Sequence, residues 1–264
     1  MPHNSREQKL QAFGRLLDIM DEVRAKCPWD KVQTNESLRP NTIEEVMELT
    51  QAVIDDDNDA ISKELGDVLL HIVFYAKIGD EKDAFDIADV CNRISDKLVY
   101  RHPHIFGNDH AETAQEVLEN WEVLKMKEKG GNKTILGGVP RTLPALIKAE
   151  RVQEKAANVG FDWEQRHDVW NKVKEELGEV EVEMTDGSNK DLEMEFGDLF
   201  FSLVNAARLY GVRPENALEH TNRKFIARFN YVEQRAHEQG KQLNEMTLAE
   251  MDALWSEAKT ALGI

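Results

Sequence analysis

The chain holds only two cysteines, Cys27 and Cys91, in 264 residues, too few for a disulfide framework and consistent with a reducing compartment. No apolar run is long enough to span a bilayer, and the opening MPHNSREQKL lacks a secretory signal's apolar core, so a cytoplasmic protein without membrane partners is expected. Positive charge is also scarce. Against 50 acidic residues stand 33 basic ones, and the formal net charge of -17 repels nucleic acid backbones and anionic lipid. Nucleic acid is therefore not an expected partner, whereas a small anion held through a metal ion is compatible with that charge. Strict apolar–polar alternation over a strand's length is hard to find, and no glycine loop of the Walker type occurs. Phosphate binding would have to come from metal and side chains.

Apolar residues instead recur at helical spacing, as in Leu10, Phe13, Leu17, Met20 and in Leu65, Val68, Leu69, Ile72, within a composition that is 41% hydrophobic and can bury a core. The expected fold class is all-α. Helices are placed near 5–26, 42–56, 60–78, 85–101 and 113–128, and again near 143–157, 168–185, 190–210, 214–239 and 247–262. Between the two sets, residues 129–144 read KGGNKTILGGVPRTLP, a composition that interrupts helices. The expected organisation is an N-terminal module 1–128, a linker 129–142 and a C-terminal module 143–264.

The two sets repeat each other. Glu44, Glu45 and Glu48 recur as Glu175, Glu176 and Glu179 at an offset of 131, and Glu64-Leu-Gly-Asp67 recurs as Glu195-Phe-Gly-Asp198 at the same offset. Lys97 and Arg101 match Lys224 and Arg228, and Thr113, Glu116, Trp121 and Lys125 match Thr247, Glu250, Trp255 and Lys259. A period near 130 means a duplicated domain-sized unit rather than a solenoid of short repeats.

Residues three apart share a helix face, so Glu176 with Glu179 and Glu195 with Asp198 each present a carboxylate pair. The short connection at 185–189 makes those helices antiparallel neighbours. Glu176 and Asp198 are equidistant from Gly187, as are Glu179 and Glu195, so the four are expected to face one another. In the first copy Glu45 opposes Asp67, and Glu48 opposes Glu64, about Asp56. Four converging carboxylates repel unless a cation neutralises them, and an all-oxygen donor set favours Mg²⁺ or Mn²⁺ over zinc. Glu175, beside the cage, can orient or deprotonate a water. A solvated acidic face would also collect glutamates, and Thr42 with Glu45 or Asn41 with Glu44 would also fit a helix capping box; the symmetric repetition argues for the cage.

Lys224 and Arg228, like Lys97 and Arg101, are like charges four apart on one helix, a spacing that calls for an anion: a triphosphate, or simply the chain's own carboxylates. Trp255 with Lys259, and Trp121 with Lys125, pair an aromatic ring with a cation that a nucleobase can stack on, or that belongs to a core. Lys172, one turn before Glu176, can reach a phosphate; its counterpart is Asn41. The Glu164-x-x-His167 motif occurs once, near a loop, and is set aside as a di-iron signal. His71 is read as structural, and His102 and His104 as flanking a turn at Pro103.

The stretches LLDIMDEVRAKCPWD, ELGDVLLHIVFYA, ISDKLVYRHPHIFG, PRTLPALIKAERVQEKAANVGFDW and EFGDLFFSLVNAARL, with EExxE followed by ExxD twice, resemble the MazG nucleoside triphosphate pyrophosphohydrolases of the all-α NTP pyrophosphatase superfamily. The resemblance implies two tandem modules in a homodimer and Mg²⁺-dependent cleavage of NTPs, ATP among them, and dNTPs between the α and β phosphates. The products would be a monophosphate and pyrophosphate, and the role nucleotide pool control. It further implies that the C-terminal module is the main catalytic one. Matched residue by residue, Glu176, Glu179, Glu195 and Asp198 would bind metal, Glu175 would be a ligand or water activator, and Lys172, Lys224, Arg228, Trp255 and Lys259 would meet substrate. The N-terminal site keeps its acidic set, but Leu98 stands for Phe225 and His102 for Phe229, which leaves its activity open. Two other readings compete: a non-catalytic acidic helical scaffold, and a narrower pyrophosphatase of the same superfamily.

Overall fold

The computed structural model describes residues 4–113, 116, 117, 120, 121, 124, 125, 128 and 134–264, and among them it contains helices and no strand. The chain divides between His110 and Ala111 into two compact units. Part of the helix expected near 113–128 lies outside the described residues.

In the first unit, α1 (Arg6–Lys26), α2 (Asn35–Ile54), α3 (Asn58–Asp80) and α4 (Ile87–Arg101) are followed by a single turn of helix, α5 (Pro103–Phe106). Helix α2 begins seven residues earlier than its apolar pattern suggests. Thr34 caps it reciprocally with Ser37, and the helix continues through Pro40. Thr42 and Asn41 are therefore inside the helix, and neither is its cap. The α2–α3 turn is tight: Asp56 takes a left-handed φ of 54°, and the Asp57 carboxylate accepts from the Asp59 and Ala60 amides to start α3. Met20, Leu38, Val73, Phe74 and Ile78 form the buried centre, so α1 and α2 both pack on α3. Helix α4 has apolar Ile94, Leu98 and Val99 on its surface. Pro103 opens α5 at its first position, where a missing N–H costs nothing, so the expected turn at His102–His104 is a helix start.

The second unit contains α6 (Ala145–Ala157), α7 (Val169–Asp186), α8 (Asn189–Leu209), α9 (Pro214–Glu238) and α10 (Leu248–Leu262). Two residues, Gly187 and Ser188, connect α7 to α8, and the Ser188 hydroxyl accepts from the Asp191 amide. Val169, Val173, Val180, Leu199 and Ala206 bury the α7–α8 seam. Val232, Ala236, Met246 and Leu254 join α9 to α10. Arg213, at the start of α9, pairs with Glu150 and Glu154 of α6, both at 2.8 Å. Helix α10 starts on a Thr247–Glu250 capping box, and the Glu116 amide bonds to Thr113 Oγ1 at 3.2 Å in the corresponding segment of the first repeat. Among the described residues, no helix is long and apolar enough to cross a membrane.

Candidate active site

Each antiparallel pair brings three glutamates together. Carboxylate oxygens of Glu45, Glu48 and Glu64 lie within 4.8 Å of one another, and so do those of Glu176, Glu179 and Glu195. The fourth member expected from the turn symmetry is not in either cluster. Asp67 stays close enough for its charge to act on Glu45, and Asp198 is exposed. Aspartate is one methylene shorter than glutamate, so from the same level of the opposing helix it reaches less far. Glu44 and Glu175 line the open clefts beside their clusters.

Both clusters have features that suit a cation. Glu64 is 7% exposed, and its Oε2 has no hydrogen-bond partner among the described residues, while its Oε1 accepts from Lys63 at 2.8 Å. A buried carboxylate oxygen without a donor is costly, and a hard cation is the partner that fits it. Desolvation, and then the charges of Asp67 and Glu48, push the Glu45 carboxyl above its ordinary range. In the second cluster a hydrogen bond to Glu176 is the largest cause holding Glu179 high, followed by desolvation and the charges of Glu176 and Glu195. Glu176 itself is 5% exposed. Lys172 bridges Glu175 at 2.9 Å and Glu176 at 2.6 Å, which raises the ammonium pKa well above its usual range. The donor set is all oxygen in both places and suits a divalent cation such as Mg²⁺.

The clefts differ in a way the motif comparison missed. Met47 lines the first, a space of about 440 Å³, and at the corresponding position of the second, about 370 Å³, stands Gly178. A Cβ built on Gly178 would meet nothing within 4 Å, so the glycine is not there to relieve a helix–helix contact. Mid-helix glycine costs about 1 kcal/mol relative to alanine. The surroundings diverge too. Thr42 Oγ1 lies 2.9 Å from His71 Nδ1 and 2.7 Å from the Tyr75 hydroxyl, a polar knot under the first cluster. The matching positions in the second copy are Val173, Ser202 and Ala206, all buried. His71 is thus a bonded structural histidine.

The remaining cationic and aromatic candidates of the second copy lie on α9 and α10. Phe225 and Trp255 have ring centroids 5.0 Å apart, and the cation over Trp255 is Arg228, at 5.6 Å, in place of the expected Lys259. Arg228 also donates from Nε to the Ile264 carbonyl at 2.9 Å. Trp255 packs partly on the α9–α10 core, and Lys224 and Lys259 are exposed. In the first repeat Lys125 lies 5.2 Å over Trp121, as expected, while Lys97 and Arg101 occupy the last turns of α4. Glu164 and His167 are in the turn before α7, away from any helix face.

A family model described as the MazG nucleotide pyrophosphohydrolase domain matches residues 33–106 and again 165–233. Each match contains one helix pair with its cluster. A protein of Thermotoga maritima named nucleoside triphosphate pyrophosphohydrolase/pyrophosphatase MazG is 42% identical over 94% of this chain and 95% of its own length. The nucleoside triphosphate pyrophosphohydrolase of Escherichia coli is also 42% identical, over 95% of this chain and 98% of its own. YabN of Bacillus subtilis is 46% identical over 96% of this chain, which spans 53% of that longer protein.

Proposed function

We infer that this chain, which belongs to the MazG nucleotide pyrophosphohydrolase family, is an enzyme that hydrolyses nucleoside triphosphates to the monophosphate and pyrophosphate. The observation that carries the assignment to a particular place is the Glu176–Glu179–Glu195 cluster with Lys172 paired to Glu175 and Glu176 beside it, where the first copy has Asn41. We place the main activity there. NTPs and dNTPs of several bases are the proposed substrates, and the proposed role is control of the nucleotide pool in the cytoplasm.

Glu176, Glu179 and Glu195 would hold Mg²⁺, or Mn²⁺ in its place, and Asp198 is the proposed fourth ligand. When bound, the cation supplies charge neutralisation for the phosphate oxygens and acidity for the attacking water. Glu175 takes the water's proton on its carboxylate. Lys172, paired with Glu175 and Glu176, would give up Glu176 to a bound cation, and its ammonium would then meet a phosphate oxygen. Lys224, Arg228, Trp255 and Lys259 are assigned to the phosphates and base of the substrate. The Glu44, Glu45, Glu48, Glu64 and Asp67 set, with Lys97, Arg101, Trp121 and Lys125, is proposed as a second metal site with Met47 in its cleft wall.

The functional unit we propose is a homodimer, since Ile94, Leu98 and Val99 of α4 and Phe225, Ile226 and Phe229 of α9 expose apolar surface that a second copy can bury. Following the repeat, the modules run 1–128 and 143–264 about a linker 129–142, and both matched segments fall inside them. The test is to incubate the protein with each NTP and dNTP, with and without Mg²⁺, and identify products. Metal-dependent release of monophosphate and pyrophosphate supports the reading, whereas diphosphate and phosphate would refute it.

A further inference from the structure

A second cavity, of about 440 Å³, opens between α6 and α8 and takes no part in the chemistry above. Its walls are mainly apolar, and its volume suits a small organic ligand. Gly160 creates it. With a left-handed φ of 87° it ends α6, and the Gly160 and Phe161 amides turn back to the Ala157 and Ala156 carbonyls at 2.9 and 3.0 Å. That reversal sets Phe161, 83% exposed, and Trp163 at the rim, opposite Phe201 of α8.

The polar atoms of the lining have fixed orientations. Gln153 is 6% exposed and donates from Nε2 to the Phe201 carbonyl at 2.8 Å. A carbonyl only accepts, so the amide cannot be reversed, and Oε1 is left buried with no donor among the described residues. Asn205 Oδ1 accepts from Arg208 Nε at 3.1 Å and Nη2 at 2.8 Å. Since guanidinium only donates, the Asn205 amide nitrogen remains as a donor at the cavity wall. Arg208 is itself neutralised by Asp162, at 2.5 and 3.0 Å. The cavity therefore offers aromatic faces, one unpaired acceptor and one donor, and no free charge.

We propose that this cavity is a nucleoside-binding site separate from the carboxylate cleft, in which a nucleobase stacks on Phe161 and Trp163 and donates an N–H to Gln153 Oε1. A planar ring with both donor and acceptor edges matches that lining, and the paired Arg208 gives no welcome to a phosphate. The site is distinct in place. Phe201, Asn205 and Arg208 lie roughly 80–140° round α8 from Glu195 and about 9–20 Å along it, by helix geometry.

The test is calorimetric titration of the full-length protein with adenosine, guanosine, cytidine and uridine in chelator-treated buffer, where neither phosphate nor metal can anchor a ligand at the glutamates. Saturable binding of at least one nucleoside is expected, unchanged in Glu176→Gln and weakened about tenfold or more in both Gln153→Leu and Phe161→Ala. Phe161 is exposed, so its variant folds even if the first does not. Toluene, an aromatic without hydrogen-bonding groups, should not displace the nucleoside. The proposal is overturned if no nucleoside binds, if binding survives in Phe161→Ala, if it is lost in Glu176→Gln, or if toluene displaces the nucleoside. Because binding is read without turnover, failure of the hydrolase reading would leave this result unaffected, and the converse holds too.

Discussion

Three glutamates held together without a cation repel, and single residues decide how each cluster bears it. Glu179 has a folded pKa above its ordinary value of 4.5, so the folded state grips that proton more tightly than the unfolded one. The resulting stabilisation is present below the unfolded value and is lost as pH rises through the folded one. In the metal-free protein, Glu179→Gln should therefore raise the thermal midpoint at neutral pH and abolish the further rise that Mg²⁺ gives the parent; a midpoint lowered by the substitution would contradict this. Gly178 offers the complementary trade. Its Cβ space is empty, so Gly178→Ala should gain up to about 1 kcal/mol of stability in denaturant unfolding, and Gly178→Met should raise KM by placing a long side chain in the cleft beside the cluster. An unchanged KM in the methionine variant would remove the glycine from the account.

At the scale of the element, the caps do most to fix where helices begin. The Thr247 side chain accepts from the Glu250 amide, and Lys241 and Thr247 together hold the Glu250 carboxyl down to about 2. A depressed carboxylate stabilises above its unfolded value and loses that effect as pH falls through the folded one. The midpoint difference between parent and Glu250→Gln should hold steady above the ordinary 4.5 and shrink toward pH 2. Thr247→Ala should cost about 1 kcal/mol in unfolding. Helix pairing was legible in the sequence: the turn centres at Asp56 and Gly187 both coincide with observed connections. The start of α2 was not, because Pro40 and the polar run after Thr34 resemble a loop until the Thr34–Ser37 box is formed. Nor was the three-membered cluster, since facing positions say which residues share a level and not whether a shorter side chain spans the gap.

Across the whole molecule, the duplication was readable because spacing survives even where side chains have changed, and both copies kept the same glutamates. What spacing does not carry is the space around a motif. The Met47–Gly178 difference, the Thr42–His71–Tyr75 knot and the α6–α8 cavity all depend on what a second helix or a returning loop places nearby. We propose that those surroundings, rather than the motif, decide which cluster carries the main activity. The most direct measurement of that claim is phosphorus NMR of an NTP incubated with Mg²⁺ and the parent, Glu176→Gln or Glu45→Gln protein. The parent and Glu45→Gln should yield monophosphate and pyrophosphate, and Glu176→Gln should be slower by about 10²-fold or more, the scale of losing a preorganised electrostatic group. Equal loss in Glu45→Gln, or retained turnover in Glu176→Gln, would contradict the assignment of catalysis to the C-terminal cluster.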